Sequence, residues 1–211
     1  MSSKFERVNE GEFRIALTTQ EAQVLINLLE QLLELLGEPT IAEPDPLFNL
    51  LGLNGNEAPP DDPVLRRLLP NAYEDEKAAS EFRRYTEDGL REKKRANAHL
   101  IYEALTPSEE EWSADQPLER ATFEVKIKLA DVGSWLSSLN DLRLALAVRL
   151  GIGSQDGIGS QDGIGSQDEN NASSQVKARY ELATDSDPMK AVYAVYSWLG
   201  WLQQSLLETL E

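Results

Sequence analysis

Cysteine is absent from the 211 residues, which removes disulfides, thiolate metal sites, thiol nucleophiles and cysteine-based redox sensing together. Sulfur chemistry is left to Met1 and Met189, whose oxidation is a weak basis for a sensor. Histidine occurs once, as His99, with no second imidazole or thiolate to complete a zinc site and no nucleophile beside it. Walker, dinucleotide-binding, nucleophile-elbow and HExxH patterns are missing as well. The carboxylates fall in connecting segments and on polar helical faces. The sequence therefore predicts no enzyme, no metal and no cofactor. Long apolar runs are missing too: no window approaches the roughly 18 apolar residues of a membrane span. MSSKFERVNEGEF at residues 1–13 has no stretch of signal-peptide length. A soluble cytoplasmic protein, without a membrane role, is expected.

Positive charge is scarce. Twenty Lys and Arg stand against 37 Asp and Glu, giving a formal charge of −17, and such a field repels nucleic acid and anionic membranes. DNA contact is disfavoured on this ground. The basic residues nevertheless gather in one island, where Arg83, Arg84, Arg91, Lys93, Lys94 and Arg95 outnumber Glu87, Asp88 and Glu92. These six are the candidate contacts for a partner or for nucleic acid.

What is present reads as helices with a little strand. Phe13, Ile15 and Leu17 alternate with Arg14 and Ala16, and Thr18 with Glu21 forms a capping box that changes the apolar period from two to about 3.6. Val24 through Leu36 then make a wide stripe that ends at Gly37, a natural residue to follow a helix. The pattern recurs at Phe123, Val125, Ile127 and Leu129, with Asp131 expected to cap a helix that Gly151 closes. An isolated strand leaves its backbone groups unpaired, so the two strands are expected to pair with each other.

Between these units, Pro39, Pro44, Pro46, Pro59, Pro60 and Pro63 exclude one regular element, and residues 38–63 read as a surface connection with a short amphipathic turn at 47–53. Val64 to Leu69 reads as a brief helix, and Asp75 to Leu105 as a long helical run with a break at Thr86 to Gly89. Thr106 to Pro117 is acidic linker. Residues 151–168 are three identical GIGSQD copies, a linker composition, so 151–175 is expected to be a low-complexity insert. Pro188 opens a last helix, rich in Leu and Trp, that is expected to pack on the helix from Trp135 to Gly151. Part of its stripe offers a homodimer face. The expected fold is mainly α: one helical-bundle domain over 12–211 with a two-stranded β pair, after a flexible N-terminus at 1–11.

The Trp135–Gly151 helix interrupts its leucine stripe with Asn140, Asp141, Arg143 and Arg149. Their spacing does not bring all four to one narrow face, so a catalytic cluster is not expected there. Pairing with other helices to fix register is. Arg143 and Arg149 also edge a candidate partner surface.

The stretches RRLLPNAYEDEKAASEFRRYTEDGLREKKRANAHLIYEAL, WLSSLNDLRLALAVRLGI and YSWLGWLQQSLLETL resemble the actinobacterial AosR-like family, long known only as a domain of unknown function. Among the residues carrying the likeness are Trp135, Asn140, Asp141, Gly151 and Trp198. The resemblance implies a small cytoplasmic regulator of oxidative-stress transcription that acts with RNA polymerase and a sigma factor. Lacking cysteine, this chain cannot sense through its own thiols. Two functions follow: a non-enzymatic regulatory protein bound to transcription machinery or, alternatively, an adaptor that joins proteins through its Leu- and Trp-rich faces without a transcriptional role.

Overall fold

The computed structural model describes residues 4–38, 58–106, 122–152, 178–180, 183–184 and 186–211. Most of the 38–63 connection, most of the acidic linker and nearly all of the 151–175 insert lie outside the described residues. Strands β1 (Phe5–Asn9) and β2 (Glu12–Thr18) precede helix α1 (Thr19–Leu36). Helices α2 (Pro63–Leu68) and α3 (Glu76–Leu105) follow. Strand β3 (Thr122–Lys128), a 3-10 turn at Leu129–Asp131, α4 (Val132–Leu150) and α5 (Pro188–Glu208) complete the order. The protein is mainly α with a small β part, as expected.

The sheet has the order β1-β2-β3 and is antiparallel throughout. The expected β2–β3 pair forms, placing Phe13 opposite Ile127 and Ile15 opposite Val125. All four side chains are buried, as strict alternation demands when one face meets the core. The sheet gains a third strand from residues expected to be a flexible N-terminus. Gly11 donates its N–H to Asn9 Oδ1 at 2.9 Å, closing a tight connection that turns β1 onto β2. Phe5 is then fixed twice: its ring meets Trp135 edge-on at 5.8 Å and its N–H reaches Ser205 Oγ at 3.3 Å. Only Phe5 of β1 is buried, so no alternating apolar pattern announces the strand.

Thr18 accepts from the Glu21 N–H, and the Glu21 carboxylate accepts from the Thr18 N–H at 2.8 Å. The capping box is complete, and α1 buries Ala22, Leu25, Leu29, Leu32 and Leu36. Asp62 and Asp187 cap α2 and α5, each just before a proline, where the missing proline N–H costs nothing. At α4 the expected Asp131 cap does not form. The preceding 3-10 turn already holds Asp131 at φ −93 and ψ −11, away from the extended geometry that lets a cap side chain reach back. The other end is a Schellman motif: Gly151 at φ 70 donates to Val148 O, and Ile152 donates to Ala147 O.

Helix α3 runs through Thr86 to Gly89 without the expected break. Thr86 does not cap a second helix; its hydroxyl donates back to Phe82 O at 2.8 Å, an i−4 bond that lets a threonine remain within a helix. Helix α4 occupies the middle of the molecule, packed against α5, α3 and α2 and touching α1. It contributes Trp135, Leu139, Leu142 and Leu146 to the core, and α5 faces it with Leu199, Leu202 and Leu206.

Candidate functional site

All six basic residues of the island lie along α3, and most of them point inward. Arg83 and Glu87 are 6% and 3% exposed, an unusual burial for charged side chains that requires pairing. Glu87 supplies it. Its Oε2 accepts from Arg83 Nη1 at 2.9 Å, while its Oε1 accepts from Arg91 Nε at 3.0 Å and Nη2 at 2.8 Å. Further donors reach outward from this carboxylate: Arg83 Nη2 bonds Asn71 Oδ1, and Arg91 Nη1 bonds Leu36 O. Arg95, also buried, donates to Gly37 O at 3.1 Å and to Glu92 at 2.7 Å. Two α3 arginines therefore hold the last carbonyls of α1, a helix with no basic residue in its own last turn. They satisfy acceptors that a helix C-terminus leaves open, and their charge opposes the negative end of its dipole.

Lys94 reaches across to α4, where its Nζ lies 2.7 Å from Asp141 Oδ1. The two carboxylates differ in their electrostatics. Burial pushes Glu87 up, but hydrogen bonds and charge from Arg83 and Arg91 outweigh it and leave the carboxyl below its ordinary range. Burial also pushes Asp141 up; Lys94 offsets only part of that, and the carboxyl remains above its ordinary range.

Lys93 is exposed on the outside of α3, while Arg84 is half-buried with its guanidinium over the Tyr85 ring at 4.8 Å. His99 is exposed on the same helix. Arg143 lies between α4 and α5, donating to Gln203 Oε1 at 2.6 Å and sitting 5.3 Å from the Tyr196 ring centroid. Gly200 lies beside it: a Cβ there would meet Arg143 Nε at 3.5 Å, an ordinary contact. Arg149 is exposed and bonds Gln31 at 3.4 Å, Asn140 is exposed, Trp135 is buried in the core, and Trp198 is half-buried against it. The structure thus gathers Arg91, Lys94 and Arg95 at the α1–α3–α4 junction, joins Arg83 to them through Glu87, and leaves Arg143 and Arg149 on other surfaces of α4.

Sequence reasoning missed the centre of this arrangement. Glu87 was one of the acids set against the island, although Arg83, Glu87 and Arg91 stand at i, i+4 and i+8, the spacing of neighbours along one helical face. Asn71 and the α1 carbonyls gave no comparable signal. The cleft beside Arg83 and Glu87, lined by Leu69, Pro70, Phe82 and Leu90, measures about 20 Å3, room for about one water. A wider open groove of about 550 Å3 runs past Pro59, Asn71, Lys77 and Arg83. Among the described residues no cluster of acids and histidine is arranged to hold a metal ion, and no helix is long and apolar enough to cross a membrane.

Residues 2–210 match the model of the family described as Domain of unknown function (DUF2017). The chain belongs to the DUF2017 family. A Mycobacterium leprae protein that carries the AosR name is 28% identical to this DUF2017 chain, over 98% of it and 86% of the relative. The proteins named oxidative stress regulator AosR of Mycobacterium tuberculosis and Mycobacterium bovis are 27% identical over 94% of the chain and 82% of their own length. The resemblance read from the three quoted stretches is thereby borne out. No solved structure matches this DUF2017 chain.

Proposed function

We propose that this protein is a non-enzymatic regulator in oxidative-stress transcription that works by binding RNA polymerase or a sigma factor, in the cytoplasm. The observation that carries the reading is the similarity, over nearly the whole chain, to relatives named oxidative stress regulators. The stress signal reaches it through a partner or through its own abundance, since its 211 residues contain no thiol. Its contacts are with protein: four of the six island cations are engaged in pairs within the fold, and the net charge of −17 opposes unaided DNA binding.

The test pairs two measurements. The tagged full-length protein is incubated with purified RNA polymerase and with individual sigma factors from an actinobacterium, beside a mobility shift on promoter DNA at two salt concentrations. Capture of polymerase or one sigma factor, without a DNA shift, is the expected result. Absence of capture sinks the reading, and a salt-sensitive shift lost in Arg84→Glu with Lys93→Glu replaces it with direct DNA contact. A second reading, an adaptor with no transcriptional role, draws support from the aromatic side chains exposed on α3.

A further inference from the structure

The outward face of α3 carries apolar residues that line the margin of the small cleft yet keep a large part of their surface exposed. Phe82, Tyr85, Gly89 and Leu90, with Thr86 among them, follow the i, i+3, i+4, i+7, i+8 spacing of an amphipathic stripe. That stripe faces away from the core: Phe82 is 38% exposed, Tyr85 68% and Leu90 41%. Tyr73 extends the patch, standing edge-on to Phe82 at 5.7 Å. Large side chains grouped in this way on the surface mark interaction sites more often than isolated ones do.

Gly89 adds an independent observation. It lies inside a 30-residue helix, where glycine is unfavourable relative to alanine. It does not have a positive φ, and a Cβ built on it would meet nothing within 4 Å. Among the described residues nothing requires a glycine there. A missing side chain at the middle of an apolar stripe does allow another backbone to come close, as small residues do at helix contacts.

Charge identifies the partner. Glu81 and Asp88 are exposed along one border of the stripe, seven residues apart and so on one side of the helix, and Glu92, already paired with Arg95, continues that border. Lys93 closes the stripe at its C-terminal end. A second copy of this chain would bring another −17 and another acidic border to the contact, which opposes self-association. We infer that the Phe82–Leu90 face of α3 is a docking surface for an amphipathic helix of a partner protein, one whose apolar side is flanked by Lys or Arg. This inference rests on the reading of the protein as a regulator that binds protein, and it names the surface.

The probe is a synthetic helical peptide of about 20 residues with a leucine stripe bordered by lysines, labelled for fluorescence anisotropy against the full-length protein. A twin carrying Glu for Lys, and a lysine peptide of the same composition with its stripe scrambled, should each bind about tenfold more weakly or worse. Phe82→Ser with Leu90→Ser should weaken the first peptide by a similar factor while circular dichroism and thermal melting report an intact fold. Because that variant touches the margin of the small cleft, a charge swap supplies a second test: Glu81→Lys with Asp88→Lys should reverse the preference toward the Glu twin. Equal binding of the twin and the lysine peptide overturns the inference, as does unreversed preference after the swap. A concentration-dependent dimer dissolved by Leu90→Lys overturns it in favour of self-association. If polymerase or sigma capture survives Phe82→Ser with Leu90→Ser, the surface is wrong while the proposed function stands. If the peptide binds as described but capture fails even for the unmodified protein, the surface stands without that function.

Discussion

The two halves of α3 are built in opposite senses. From Ala98 to Leu105 the helix is conventional, burying Ala98, Ile101 and Leu105 and exposing His99. From Arg83 to Arg95 it turns charge inward, to Glu87 and the α1 carbonyls, while Phe82, Tyr85 and Leu90 face out. One continuous helix therefore contains a segment stabilised by hydrophobic burial and a segment held by pairing. The first kind is non-directional and tolerates repacking. The second is directional, and its stability depends on every member of the network being present.

That contrast can be broken most severely at Glu87. Glu87→Gln leaves the buried Arg83 without its counter-charge and should cost about 3–5 kcal/mol in urea unfolding at neutral pH. The double change Arg83→Met with Glu87→Leu should recover part of it, because an apolar pair replaces the buried Arg83–Glu87 pair while Arg91, less deeply buried, loses its carboxylate. A double variant as unstable as the single one would show that the network is more than a paired substitute for apolar packing. In the conventional half, Ile101→Ala should cost about 3 kcal/mol through lost burial and the cavity left behind, with no restoring partner change of this kind.

A smaller effect of opposite sign is expected at Gly89. Alanine there should raise stability by about 0.5–1 kcal/mol, because the position is open and helical; a thermal melt that falls would show that the glycine serves the fold. The smallest effect is the pH dependence. Glu87, depressed in the folded state, contributes stability that is complete above the ordinary carboxylate pKa and is lost as pH falls through its folded value. Asp141, raised in the folded state, behaves in reverse: its ionised form lowers stability at neutral pH, and acidification through its raised folded value relieves that cost. On descending from neutral pH, the gain from Asp141 comes first and the loss from Glu87 last. Asp141→Asn should flatten the first phase and spare the second, as melting temperatures measured from about pH 7 to about pH 3 would report.

Where one side chain decides the local outcome, the sequence was legible. The Thr18–Glu21 box, Gly37, Pro188 and Gly151 each acted as a local stop or start, and the alternation at Phe13 to Leu17 and at Val125 to Ile127 placed two strands and their pairing. β1 was hidden because a single buried side chain, Phe5, holds it, and because its partners Trp135 and Ser205 lie far along the chain. The expected break in α3 failed for a related reason. Thr86 and Gly89 are poor helix formers, but the Arg83–Glu87–Arg91 ladder and packing against α1 and α4 override local preference. For the island, composition located the charge but carried no direction. Burial of Arg83 and Arg95 depends on what other helices bring to them, and residue counts contain no such information.

The arginine grip on the end of α1 has a consequence in time as well as in space. Leu36 O is held by Arg91, 55 positions later in the chain, and Gly37 O by Arg95, 58 positions later. A ribosome therefore releases α1 with its start already capped by Thr18 and Glu21 and its finish held locally by the Gly37 N–H on Glu34 O alone, and the nascent helix waits for most of α3 before its last carbonyls are sealed. A chain interrupted anywhere between the two would carry a helix that begins cleanly and frays where it ends.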